Sequence, residues 1–386
     1  MRFRTLLPHH ALVLALILTV GTASAQTAEE IACLADPACQ VEDSVAESPI
    51  SNLDNDTQAT SEYENTFLMK RQRRLVGIPG MANDESQIRD YIEAPPMTGN
   101  PYWNAYGTGA YYMAVGNNAM GNQLWHVNFG TGEHRQVTNG DCIPGVKPTS
   151  RNWRCGYLAP VAHVPGSLAF VQQIVEVIDG DDNSRIPETP QWQVVISVDG
   201  SATGVISLDR KPDHLSWRPD GEWLVFVESS EMLAVSAAGK VCVLPQVAEK
   251  TVRHAEWTNA GGGGGTIVYE TEGSIWTVPV KKMNRRSVCP ELQLAKRQQL
   301  TDEGGQDRDP QWLEKSNLIA FISNRPLSPG DTSRQNRIWA VPAGRAAPIA
   351  FVFMPFSINY ADWQISRTTP QKAQIGAAPK GRGGRD

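Results

Sequence analysis

From Gln26 to Met69 the chain has no lysine or arginine, while ten acidic residues fall in the same stretch, Glu29 and Glu64 being the first and last. Low hydrophobicity with charge of one sign cannot bury enough surface to offset chain entropy, which predicts a flexible acidic leader over 26–69. Nothing after residue 25 is apolar over the ~18 residues that a membrane-crossing helix needs. Long amphipathic helical patterns are also missing. No Gly-x-Ser-x-Gly elbow and no His-Glu-x-x-His zinc helix occurs, so two common hydrolytic machineries are excluded. No two cysteines have Cys-x-x-Cys spacing, which argues against a zinc knuckle. A formal charge of −6 argues against nucleic acid as the main partner, since phosphate binding needs a clustered positive surface.

What is present begins with an export signal. Arg2 and Arg4 precede a run of apolar and small residues from Ala11 to Val20, and Ala23-Ser24-Ala25 then supplies the small residues of a cleavage site. This layout predicts a signal peptide over 1–25 and export to the periplasm, or beyond it, by the general secretion pathway. No Arg-Arg pair precedes the run, which speaks against the twin-arginine route. The six cysteines lie beyond residue 25. An even count in an oxidising compartment predicts disulfides, and six cysteines allow about 15 pairings. Pairing of chain neighbours is expected: Cys33–Cys39, Cys142–Cys155 and Cys242–Cys289. The last stretch, 367–386, is rich in Pro, Gly, Lys and Arg and is expected to be a disordered basic tail.

Between leader and tail, over 70–366, one pattern recurs. Its clearest copy runs from His214 to Glu228. A strand bearing Trp217 meets the turn Pro219-Asp220-Gly221, and the apolar strand Leu224-Val-Phe-Val227 returns; Asp-Gly between apolar runs is a strong hairpin signal. Shorter strands follow at Met232–Val235 and Val241–Leu244. Four short antiparallel strands make one propeller blade. Related copies start at Trp103, Trp257 and Trp312, a looser copy covers Ala159 to Ser207, and Tyr360 to Ile365 offers a first strand alone. From Trp217 the anchors are 40, 55 and 51 residues apart, and Trp103 to Trp217 is 114, or two steps of 57. Such periods belong to propellers. The chain is therefore expected to be all-β, a propeller of six blades with five as the alternative, its last sheet completed by an N-terminal segment near Phe67 to Ile78.

These repeats resemble the TolB-like, WD-repeat-like β-propeller family of bacterial cell envelopes, whose unit reads roughly Pro-x-Trp-Ser-Pro-Asp-Gly, then an Ile-Ala-Phe strand, Ile-Trp or Ile-Tyr, and Leu-Thr. The resemblance covers about 98–366. Only the Trp217 copy keeps the Pro-Asp-Gly turn; the Trp257 copy has Gly261 to Gly265 there. Nothing in the chain resembles the separate α/β domain that the best-known family member carries.

The residues three positions before each anchor tryptophan are Asn100, His214, His254, Asp309 and Tyr360, with Tyr157 or Leu158 in the looser copy. Equivalent positions of the innermost strands come to one height on a propeller's channel, so these side chains are expected to form a ring at its mouth. The ordinary account is that a water-filled channel needs polar walls. The alternative is that His214, His254 and Asp309 hold a divalent metal; no other cofactor is expected. Asp179 to Ser184 has neither the Gly nor the Glu of an EF-hand loop, and the glycine run lacks a following Lys-Ser/Thr; both are expected to be surface turns.

The functional expectation is a periplasmic binding scaffold, a monomer or part of a complex, for a protein partner or an envelope polysaccharide. Its recognition surface is expected on the long connections Asp141–Cys155, Asp179–Pro190, Lys281–Cys289 and Arg325–Asn336. The alternative is an enzyme, a polysaccharide lyase or hydrolase, acting through the channel ring.

Overall fold

The architecture was obtained as a computed structural model. It describes residues 66–71, 74–79, 84–93, 97–116, 122–138, 153–177, 184–185, 191–198, 201–248, 251–258, 264–283, 288–302, 306–313, 317–328, 330–343, 348–352, 358 and 362–363. All belong to the compact unit Glu47–Asp386. The expected signal peptide, nearly all of the acidic leader, and the basic tail lie outside the described residues.

The strands fall in chain order into six antiparallel sheets, five of four strands and a sixth of five. The first three are β1 (Thr66–Arg71), β2 (Arg74–Pro79) and β3 (Arg89–Glu93). Then come β4 (Tyr102–Trp103), β5 (Gly109–Val115), β6 (Asn122–Asn128) and β7 (His134–Gln136). The looser copy gives β8 (Trp153–Val164), β9 (Ser167–Val177), β10 (Ser184–Arg185), β11 (Gln191–Val198) and β12 (Ser201–Leu208). The best-preserved copy gives β13 (Leu215–Trp217), β14 (Trp223–Glu228), β15 (Glu231–Ser236) and β16 (Val241–Val243). Next are β17 (Val252–Thr258), β18 (Thr266–Thr271), β19 (Ser274–Pro279) and β20 (Gln298–Gln299). The last set is β21 (Arg308–Leu313), β22 (Leu318–Ser323), β23 (Arg337–Pro342), β24 (Ile349–Val352) and the lone β25 (Asp362–Trp363). Among the described residues no helix is long and apolar enough to cross a membrane.

Contacts between first strands run β4 to β8, β8 to β13, β13 to β17, β17 to β21, β21 to β25 and back to β4. That is a closed ring of six, the inner wall of a β-propeller. Closure comes from the ends: β25 pairs with β1, Phe67 opposite Trp363 and Leu68 opposite Asp362. The expected segment thus completes the last sheet, and β1 starts at Thr66, slightly ahead of the expected boundary at residue 70. Pairing both ends within one sheet leaves no seam between first and last blades.

Strands with nearly all-apolar sequence form because both sheet faces are covered. On β14, Leu224 and Phe226 pack with Val171, Val194 and Ile196 of the preceding blade. The alternate residues Val225 and Val227 pack with Ala255, Trp257 and Tyr269 of the following one. A period of two with both sets buried reads as a continuous apolar run. Gly221, at the Asp-Gly turn, adopts φ +73°, a conformation closed to most side chains.

A second device stitches neighbouring blades at the channel. At three of the blades the residue just before the anchor tryptophan accepts a hydrogen bond from the backbone N–H of the next anchor. Ser216 Oγ accepts from Trp257 at 3.1 Å, Glu256 Oε1 from Trp312 at 2.9 Å, and Asp362 Oδ2 from Trp103 at 2.7 Å. These inner-strand N–H groups face the neighbouring blade, and an unpaired buried donor would cost about 1–3 kcal/mol.

Cys242 and Cys289 form the expected disulfide; the pairs 33–39 and 142–155 involve cysteines outside the described side chains. Gly264 and Gly265 are not a loose turn. A Cβ on Gly265 would lie 2.2 Å from Thr258 O, and Trp257 Nε1 donates to Gly264 O at 3.0 Å. Glycine is needed there because backbone packs on backbone.

Candidate functional site

The channel mouth opens as a funnel of about 600 Å³. Asn100, His214, His254 and Asp309, four of the tryptophan-minus-three positions, all lie in its wall. Tyr360 lies outside the described residues. Charged neighbours complete the wall: Lys211, Arg253 and Arg308 against Asp213 and Glu270. Below it a chamber of about 50 Å³, lined by Ser216, Glu256, Gln311 and Asp362, shares His214 with the funnel. The minus-three and minus-one positions therefore make two tiers, as side chains two apart on a strand share a face. The looser copy contributes His163 to the lower tier, where Tyr157 or Leu158 was expected at the ring. Strand β8 shifts register between Leu158 and Val161, and with no tryptophan to mark the anchor, that shift was not readable.

The tiers are not symmetric. His254 and Asp309 have φ of +39° and +52°, and each sits where its strand bulges against its partner, between Arg253 and Ala255 on β17 and between Arg308 and Gln311 on β21. A bulge re-aims a side chain, and a non-glycine residue at positive φ costs about 1–3 kcal/mol that its surroundings must offset. The two strained positions are neighbours: His254 Nδ1 faces Asp309 Oδ1 at 3.6 Å.

His254 also stacks on His214, ring centroids 3.9 Å apart and planes 15° from parallel. His214 Nε2 lies 3.9 Å from Glu256 Oε2. His214, His254 and Glu256 are all buried, and each offers a ligand atom such that the three lie within 4.8 Å of one another. Burial would lower the His254 pKa, but the facing Asp309 and the charges of Glu256 and Glu270 outweigh it and raise it. Burial likewise raises the carboxyl of Glu270 against the pull of His254. Asp309, despite burial, is held below the usual carboxylate range by His254 and Arg308. His254 Nε2 is buried and has no hydrogen-bond partner.

Glu256 was not among the expected site residues. Its signal was the run of polar residues directly before the anchors (Ser216, Glu256, Gln311, Asp362), which a ring drawn at one height passes over. Of the long connections expected to carry recognition, 139–152, 178–183 and 186–190 lie outside the described residues. The connection Arg325–Asn336 folds on itself: Asp331 accepts from Leu327 N and Ser333 N at 3.1 and 2.8 Å.

No protein family and no curated protein matches the chain. Solved structures similar to it include TolB from Acinetobacter baumannii, 11% identical with a TM-score of 0.41, over 78% of this chain and 66% of that one. Another is an oligogalacturonate lyase from Vibrio parahaemolyticus, 11% identical with a TM-score of 0.45, over 76% and 80% of the two chains. TolB proteins thus stand among the structural neighbours, and the propeller assignment itself rests on the six sheets and their closed inner ring.

Proposed function

We propose that this chain is a periplasmic binding propeller that captures a segment of a protein partner at its channel mouth. The observation that carries the reading is the funnel: about 600 Å³, within the range of pockets that take specific ligands. Its wall holds charges of both signs, and Arg253 and His254 on β17 and Arg308 and Asp309 on β21 project into it from innermost strands. Side chains on a closed ring of strands are held more rigidly than side chains on loops. The chamber beneath is too small for a polypeptide, so a captured segment enters from the funnel side.

A photo-crosslinking residue at Asn100 or Lys211 should trap a discrete partner in cells, and the same residue at exposed Val243, on an outer strand, should not. Reversing Arg253 and Arg308 to Glu should abolish the crosslink while the circular dichroism stays that of the parent. Equal trapping from Val243, or indifference to the reversal, would sink the proposal. A crosslinked polysaccharide in place of a protein would move the reading to an envelope-polymer binder.

The stacked pair His214 and His254 supports a second reading, an enzyme acting on such a polymer. Unchanged turnover of envelope polysaccharide fragments by a His214→Ala, His254→Ala double variant removes it.

A further inference from the structure

Beyond partner capture, and independent of it, we propose that His214, His254 and Glu256 bind one divalent transition-metal ion, zinc being the best fit, at the floor of the funnel. Among the described residues this is the one cluster of three such ligand groups that are close enough together. Two imidazoles and one carboxylate suit zinc and its neighbours, whereas calcium and magnesium prefer oxygen donors throughout.

Three observations support a site over a merely polar wall. The first is the buried Nε2 of His254, with no hydrogen-bond partner. His254 is only 5% exposed, and a nitrogen left so costs free energy unless a ligand meets it. The second is the carboxylate behind the same ring, Asp309 facing Nδ1. An imidazole that ligates a metal through one nitrogen commonly gives its other N–H to a carboxylate, which fixes the tautomer and leaves the first lone pair outward. The third is positive backbone φ at both His254 and Asp309, strain located where this pair of roles would need it.

Tetrahedral zinc needs its donors about 3.3 Å apart, and the three here lie within 4.8 Å. Side-chain rotations of His214 and His254 that tilt the stacked rings cover the difference. Glu256 keeps Oε1 on Trp312 N and turns Oε2 towards His214, 3.9 Å from its Nε2.

The test uses the full chain, stripped with chelator, dialysed, and titrated with Zn²⁺ in competition with a chromophoric chelator. We expect one equivalent bound. His254→Ala and Glu256→Gln should each weaken binding by at least tenfold. Asp309→Asn should weaken it by about 10–100-fold, the range for a residue that only orients a ligand. X-ray absorption at the zinc edge of the parent protein, which depends on no variant folding, should show two imidazoles with oxygen donors. Uptake unchanged in the three variants, an edge spectrum with no imidazole, or no stoichiometric binding would each overturn the proposal. The first two would mark an adventitious ion; the last would leave water as the partner of His254.

Discussion

Two histidines face the same channel and are treated in opposite ways. His163 is fully engaged: Nδ1 accepts from Ala105 N at 2.9 Å, and its ring lies edge-on to Tyr106 and Tyr111. His126, beside Tyr111, meets the Asn104 amide at 3.2 Å. On the other side His254 stands on a bulge at positive φ with one ring nitrogen unpartnered. The pair of acids on β21 and just before it shows the same contrast. Asp307 is completely buried, and Arg325 donates to both its oxygens, from Nε at 3.0 Å and Nη2 at 2.5 Å. Asp309, two residues on, faces the funnel and His254. Where every polar atom has a partner, the group holds the fold; where strain and an unpaired atom coincide, it is available to a ligand.

Breaking a satisfied group should cost most. Arg325→Met strands the Asp307 carboxylate in the core, and we expect a loss of about 3–5 kcal/mol in urea denaturation. Asp309→Asn, on the same blade, should cost less, because its side chain keeps 27% exposure to the funnel whereas that of Asp307 has none. Equal losses would end the distinction between the two acids.

The histidines sharpen the comparison next. His163→Ala leaves Ala105 N–H unpaired and a gap beside two tyrosines, and should cost about 2–4 kcal/mol. His254→Gly should change stability by less than about 1 kcal/mol, since release of backbone strain offsets the lost packing. A His254 variant as damaging as the His163 variant would make it an ordinary core residue.

A third contrast is a titration on the same blade as His254. Burial raises the Tyr269 phenol to about 12, Arg297 opposing it, whereas an unfolded tyrosine ionises near 10. Between those values the unfolded chain binds fewer protons than the folded one, so stability falls as pH rises through that window. Tyr269→Phe should flatten the decline, read from urea midpoints at pH 10 and 12. An unaltered slope would assign it to other groups, such as buried Tyr112, which burial also raises.

The repeats, their four strands and the closing N-terminal segment were legible in the sequence because each depends on local chemistry: a tryptophan anchor, an Asp-Gly turn, an apolar run and a period of two. Asn100, His214, His254 and Asp309 line one funnel because equal steps from an anchor reach equal heights in a ring. The bulges at His254 and Asp309 were not legible, nor was the register shift that brings His163 to the channel. Nothing local in Arg253 to Ala255 demands an extra residue; the fit of β17 against β18 does. The role of Glu256 belongs to the tertiary structure for the same reason. Only when β17 lies beside β13 and β21 do its two oxygens divide, one to the Trp312 N–H of the next blade and one towards His214 of the blade before.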